Sequence, residues 1–140
     1  MEKVLIKLNG TQNFLNGEIN QIELTTEGTM EIKEDGYVIT YEESAMTGME
    51  GTTTIMKILH SGVMELIRVG TTNSHLVFEE GVKKLSHYET IAGIFTLGVL
   101  ANIVDIDVDN DGGIVRVEYI MEIDNQKTAE NDIEIEITKV

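Results

Sequence analysis

The sequence predicts an all-β fold in which antiparallel strands follow one another as a meander and close into a barrel or a sandwich. Apolar and polar residues alternate with a period of two along most of the 140 residues, as in strands with one buried face. Turn signals separate these runs at EDG, HSG, EEG and DNDGG. Proline is absent, so the chain lacks a usual means of protecting sheet edges, which favours closure or pairing between copies.

The predicted strands can be justified in chain order. Val4, Ile6 and Leu8 alternate with polar residues in the first, and Ile22 and Leu24 do so in the second. The later runs are Met30 with Ile32, GYVITYEE, TTTIMKILH, VMELIRVG, SHLVFEE, VKKLSHYET, IFTLGVLANIVDIDVD, IVRVEYIMEI and DIEIEITKV. The best helix candidate, TIAGIFTLGVLAN, contains two glycines and several β-branched residues, which disfavour a helix.

The turn residues predict how two of the early hairpins pair. A two-residue turn at Asp35 and Gly36 places Ile32 opposite Ile39, on one apolar face. The same register places Met30 opposite Tyr41. A turn at Ser61 and Gly62 predicts that one face of the next ribbon carries Ile55, Lys57, Leu59, Met64, Leu66 and Arg68. The ribbon formed by residues 52–70 is then apolar on both faces, so one face meets the core and the other is available to a partner.

Composition excludes several functional classes. One domain of residues 1–140 is long enough to bury a core without cross-links, and cysteine is absent, which excludes disulfides and thiolate chemistry. The 25 acidic residues against 10 basic ones give a net charge of −15, which disfavours nucleic acid and anionic membranes as partners. The start MEKVLIKLNG has no apolar signal core and no run approaches a bilayer span, so we expect a cytoplasmic protein.

The stretch DVDNDGGIVRVE, residues 107–118, matches the spelling of a helix–loop–helix calcium loop. Asp107, Asp109 and Asp111 supply the early carboxylates, Gly112 the bend and Glu118 the closing ligand. Such a loop needs flanking helices, whereas both flanks here are strand sequences.

A β-hairpin explains the same stretch. With the turn at Asp111 and Gly112, Val108 faces Val115, and the apolar residues of both strands share one face. Asp105 then faces Glu118, and two like charges opposite each other are destabilising unless a cation lies between them. Weak calcium binding is therefore kept as the third functional alternative, with candidate ligands Asp105, Asp107, Asp109 and Glu118.

The ordered set YVITYEES, TTTIMKI, LIRVG, LVFEEG, YETIAGIFTLGV and GGIVRVEYIMEI resembles the YwiB-like family of small bacterial β-barrel proteins. The resemblance covers nearly the whole chain. It implies a calycin-like barrel, the architecture of lipocalins and fatty-acid-binding proteins, with the aspartate run in a late hairpin. The family is uncharacterised, so the resemblance supplies no catalytic residue.

Small barrels either fill their interior with side chains or enclose one small ligand, so polar residues on an inner apolar face mark a candidate site. Glu43 shares a strand face with Tyr41 and is expected near Arg68 or Lys57. The candidate ligand-binding residues are Tyr41, Glu43, Lys57, Arg68, Tyr88, Thr90 and Tyr119. They predict a site that orients a carboxylate or phosphate, anchored by Arg68. The alternatives are a satisfied ion pair that closes one barrel end, or charges that face outward.

No constellation of residues supports catalysis. The three histidines are dispersed, no glycine-rich phosphate loop opens a helix, and no serine lies in a nucleophile elbow. We therefore expect no catalytic residue, no cofactor and no enzymatic activity. The leading hypothesis is reversible binding of a small apolar or amphipathic molecule in the barrel. The second is a structural or interaction protein that forms a homodimer through residues 52–70.

Overall fold

The computed structural model describes residues 1–90 and 92–140, except for the side chain of Thr90. Ten antiparallel strands account for most of the chain. Their bounds are β1 Glu2–Phe14, β2 Ile19–Lys33, β3 Gly36–Glu42, β4 Thr53–Leu59, β5 Met64–Val69, β6 Ser74–Phe78, β7 Lys83–Thr90, β8 Gly93–Asp109, β9 Gly112–Ile123 and β10 Gln126–Lys139. A short 3-10 turn, Ala45–Thr47, lies between β3 and β4. None of the helical segments in the described part of the chain is long and apolar enough to span a membrane.

The strands form one sheet that curls into a nearly closed barrel. Sequential neighbours pair along the order β6-β5-β4-β3-β2-β1-β10-β9-β8-β7, and β1 pairs with β10 from Val4 opposite Lys139 to Phe14 opposite Ala129. The two edge strands, β6 and β7, are joined by isolated bridges between Asn73 and Glu89 and between Glu79 and Val82. The predicted all-β barrel meander is confirmed.

The predicted registers of the β2–β3 and β8–β9 hairpins are wrong by two residues. Because side chains alternate between the two faces of a strand, a shift of two leaves every side chain on its predicted face. Met30 pairs with Ile39 rather than Tyr41, and Val108 pairs with Gly113 rather than Val115. The glycines that were assigned to the turns instead begin the following strands.

Close approach to a neighbouring strand and a positive φ, 154° at Gly36 and 113° at Gly112, together explain those two glycines. A Cβ on Gly36 would lie 2.0 Å from the carbonyl oxygen of Ile58 on β4. A Cβ on Gly112 would lie 2.2 Å from the carbonyl oxygen of Ile137 on β10. Each position therefore accepts glycine alone, and the turns move to residues 34–35 and 110–111.

The register predicted for β4 and β5 is wrong by one residue. The side chains of β4 therefore lie on the opposite face of the sheet from the one that was predicted. The loop spans residues 60–62: the Leu59 amide donates to the Val63 carbonyl oxygen at 2.9 Å, and Gly62 has φ 93°. This is the three-residue hairpin loop with a left-handed glycine, whereas a two-residue turn was predicted. Lys57 therefore pairs with Glu65 on the outer face, and not with Leu66 inside the barrel.

Candidate functional site

The barrel interior is divided into a region that side chains fill and a region that they leave hollow. The packed region consists of fully buried residues from six strands: Val4, Ile6, Met30, Ile39, Met56, Ile58, Val115 and Ile137. The hydroxyl of Tyr37 donates to Asn110 Oδ1 at 3.1 Å at the barrel end that carries turns 34–35 and 110–111. This hydrogen bond links β3 to the β8–β9 turn across that end of the barrel.

The hollow region is a partly enclosed cavity of about 220 Å³. Its wall is mainly apolar, formed by Leu8, Ile22, Met64, Leu66, Leu76, Phe78, Met121 and Ile133. Gln12, Asn20 and Met49 line it on the side of the β1–β2 turn and the β3–β4 loop. A dry cavity of about 150 Å³ accommodates benzene, so this space suits a molecule somewhat larger than that.

Arg68 supplies a positive charge to the cavity. It lies on β5, between Thr54 of β4 and Ser74 of β6, and its side chain lines the hollow region. Its Nε is buried without a hydrogen-bond partner, and within the described residues the guanidinium forms no ion pair. A buried donor left unpaired costs about 1–3 kcal/mol, and more when the group is charged.

Asn131 supplies both a donor and an acceptor to the same cavity. It lies on β10 opposite Tyr119 of β9 and is 5% exposed. Neither its Nδ2 nor its Oδ1 has a hydrogen-bond partner within the described chain. Buried side-chain amides are normally paired, so two orphaned atoms on one residue that lines a cavity indicate a place for a bound molecule.

Glu43 connects the β3–β4 loop to the barrel wall. It is 7% exposed, and its Oε1 accepts a hydrogen bond from Thr54 Oγ1 at 2.7 Å. Its Oε2 accepts one from Thr47 Oγ1 at 2.8 Å, at the end of the 3-10 turn. This clamp holds the loop that carries Met49 to the cavity.

Two tyrosines next to Arg68 stay protonated near neutral pH. Burial raises the pKa of Tyr119 to about 12, and the positive charge of Arg68 acts in the opposite direction. Burial raises the pKa of Tyr41 still further, assisted by the Glu43 carboxylate and opposed by Arg68. Both hydroxyls can therefore donate hydrogen bonds.

The structure brings four of the seven predicted ligand-binding residues together. Arg68 and Tyr119 line the cavity, while Tyr41 and Glu43 lie beside Arg68 without lining it. The strand face that Glu43 was predicted to share with Tyr41 is buried, and Tyr37 and Ile39 on the same face are buried too.

The remaining three residues lie elsewhere. Lys57 is on the outer face, because the β4–β5 register differs by one residue from the predicted one. Tyr88 on β7 is half-buried against the core and does not line the cavity. Thr90 ends β7, and its side chain lies outside the described residues.

The aspartate run forms the predicted hairpin, but the pairing that motivated a cation site is wrong. Asp105 pairs with Arg116, and Glu118 accepts a hydrogen bond from Arg116 Nη2 at 2.7 Å. Asp109 Oδ1 accepts from the Asp111 amide at 2.8 Å, as in a turn. Within the described residues, no group of three acidic or histidine side chains, Asp107 included, is arranged to hold a metal ion.

Sequence reasoning missed Asn131 and the two threonines that hold Glu43. Asn131 could have been found by extending the alternation of Ile137, Ile135 and Ile133 backwards by one step. Thr54 continues the inner face of Ile58 and Met56, which the wrong β4–β5 register concealed. No sequence signal marked Thr47, because loop contacts follow from the fold.

Comparison with known proteins identifies a family and a fold. The family described as "Domain of unknown function (DUF1934)" matches residues 6–135. The crystal structure of ywiB protein from Bacillus subtilis is similar to this chain with a TM-score of 0.86 and 18% sequence identity. The similarity covers 99% of this chain and 92% of that one. A search of curated proteins finds no match.

The chain belongs to the DUF1934 family, and the YwiB-like resemblance read from the sequence is confirmed. At 18% identity the similarity to the solved structure concerns the fold alone.

Proposed function

We propose that this DUF1934 barrel is a cytoplasmic, non-enzymatic protein that reversibly binds a small apolar or amphipathic molecule in its hollow region. The observation that carries the proposal is the cavity of about 220 Å³, whose mainly apolar wall contains polar atoms of Arg68 and Asn131 that no described residue pairs with. An accidental packing defect is expected to be apolar, since burying unpaired polar atoms is costly. The absence of cysteine fits a reducing compartment.

Filling the cavity tests the proposal without knowledge of the natural ligand. Gly10 lines the cavity, and a Cβ there would meet its nearest neighbour at 3.7 Å, an ordinary contact. Gly10→Leu therefore places a side chain into the space without a backbone clash. Asn9→Leu adds the same side chain at the neighbouring exposed position and serves as the matched control.

The probe is 1-hexanol, titrated into ¹⁵N-labelled protein and followed by NMR. We expect saturable shifts at residues that line the hollow region, such as Leu76, Phe78 and Met121. Gly10→Leu abolishes these shifts and Asn9→Leu preserves them. Unsaturable shifts in the wild type, or equal binding by Gly10→Leu, would contradict a binding cavity.

The homodimer through residues 52–70 stays a prediction. Ile55 and Ile67 pair on the outer face of this ribbon and Val69 is 53% exposed, which favours a contact. Lys57 and Glu65 pair on the same face and interrupt the apolar surface on which the prediction relied. Light scattering at micromolar concentration tests it, and a monomer would contradict it.

A further inference from the structure

Arg68 is the one cationic side chain among the described residues that line the hollow region. Asp132 also lines it but faces outward on β10, where its carboxylate lies 3.6 Å from Arg116. The nearby carboxylate of Glu43 already accepts hydrogen bonds from two threonine hydroxyls. The buried Nε of Arg68 is therefore left for an acceptor that none of the described residues supplies.

Asn131 is an independent second observation in the same cavity. Its amide is at least nine-tenths buried, and its Nδ2 offers N–H donors that no described group accepts. A guanidinium and an amide that line one cavity provide charged and neutral donors to the same bound group. Asn131 Oδ1 stays available to an ordered water or to a donor on the ligand.

We propose that the ligand of the hollow region is a small monocarboxylate, whose anionic head is held by Arg68 and Asn131 and whose apolar tail contacts the cavity wall. This inference rests on the proposed function and specifies its ligand class. The single guanidinium balances one negative charge. The second charge of a phosphate monoester would be buried without a partner, near Glu43, in a protein of net charge −15.

The cavity volume limits the tail. A space of about 220 Å³ is roughly one and a half times the cavity that accommodates benzene, which suits a carboxylate with a short alkyl chain or one ring. A long-chain lipid does not fit within this volume.

The test compares three probes that share one alkyl chain: hexanoate, 1-hexanol and hexyl phosphate. Their affinities for the full chain are measured by calorimetric and NMR titration at neutral pH. We expect hexanoate to bind at least about tenfold more tightly than 1-hexanol, the gain typical of a charge-assisted hydrogen bond. Hexyl phosphate is expected to bind more weakly than hexanoate.

Arginine variants separate a local anchor from general electrostatics. Arg68 and Arg116 are the two arginines of the chain, and Arg116 lies on the outer surface. Arg68→Met is expected to reduce hexanoate affinity to that of 1-hexanol, and Arg116→Met to leave the preference unchanged. Arg68→Lys keeps the charge without Nε and retains part of the preference, which also controls for folding.

The outcomes distinguish this inference from the proposed function. If hexanoate and 1-hexanol bind equally well, the carboxylate anchor is wrong while the binding cavity stands. If hexyl phosphate binds most tightly, or if Arg116→Met acts like Arg68→Met, the anchor is also wrong. If no probe binds the wild-type protein, both proposals fail.

Discussion

The packed and hollow regions of the barrel share strands β1, β2, β9 and β10 but treat polar groups in opposite ways. In the packed region, eight apolar side chains fill the interior, and the Tyr37 hydroxyl nearby is paired with Asn110. In the hollow region, Arg68 and Asn131 have buried polar atoms that find no partner among the described residues.

This difference supports the proposal that the hollow region is a binding site and not an incomplete core. Leu or Ile at position 131 would continue the apolar face of β10 and satisfy the ordinary requirements of packing. The amide that occupies this position instead adds hydrogen-bonding capacity that only a ligand or water can use. Binding and stability consequently make opposite demands on the same position.

The largest expected difference between the two regions is in how much the free energy of unfolding falls when an apolar side chain is truncated to alanine. Ile39→Ala removes a side chain with 0% exposure in the packed region and should lower the free energy of unfolding by about 2–5 kcal/mol. Leu76→Ala in the hollow region should cost about 1–2 kcal/mol, because one side of Leu76 already lacks packing partners. Urea denaturation measures both. Equal losses would contradict the distinction.

Alkaline pH should destabilise the protein through the tyrosine beside the cavity. The pKa of Tyr119 is about 12 in the folded protein, against 10.0 as its ordinary value, so the protonated hydroxyl favours the folded state. This contribution to the free energy of unfolding is fully present below pH 10 and is lost as the pH rises toward 12. The full loss corresponds to roughly 2–3 kcal/mol. Urea denaturation across this range should show a smaller pH dependence for Tyr119→Phe. An unchanged dependence would mean that Tyr119 is not buried.

Glu43 holds the β3–β4 loop to the barrel wall, so replacing its carboxylate by an amide should lower the free energy of unfolding more than the same change at an exposed glutamate. Glu43→Gln replaces two charge-assisted hydrogen bonds by neutral ones and should cost about 1–2 kcal/mol. Glu42→Gln is the matched control, since Glu42 is exposed and also accepts from a threonine, Thr53, at 2.9 Å. It should cost at most about 0.5 kcal/mol.

Amide hydrogen exchange locates the effect of Glu43→Gln. Exchange should accelerate in residues 44–51 of this variant, because the hydrogen bonds that link Thr47 and Thr54 through residue 43 become weaker when the acceptor loses its charge. Uniform acceleration throughout the barrel would show that Glu43 supports the whole fold and not the loop.

The smallest expected effect has the opposite sign. Asn131→Leu replaces the unpaired amide by an apolar side chain of similar size and should stabilise the free protein by about 1 kcal/mol. The change in the urea midpoint measures it, with Asn9→Leu on the exposed face as control. Destabilisation by Asn131→Leu would indicate that the amide is paired in solution.

The fold was largely predictable because alternation and turn spacing are local properties. The barrel class and the strands follow from them, including β8, where glycines and β-branched residues argued against a helix, although the runs at Ile22 and Met30 belong to one strand, β2. The two-residue register errors at Gly36 and Gly112 arose because a contact with a third strand selected each glycine. Such a contact cannot be read from the hairpin itself.

The site was predictable only where strand faces were assigned correctly. Tyr41, Glu43, Arg68 and Tyr119 were placed near one another, whereas Lys57 was misplaced by one residue of register. The division into packed and hollow regions depends on the volumes of side chains from all strands together. No single strand contains that information.

A high-resolution crystal structure of the protein purified without denaturation from its native host tests the central claim most directly. The account predicts an open hollow region, with density for a small molecule or ordered waters in contact with Arg68 Nε and the Asn131 amide. A cavity filled by rearranged side chains, with Arg68 and Asn131 hydrogen-bonded to protein groups, would contradict it.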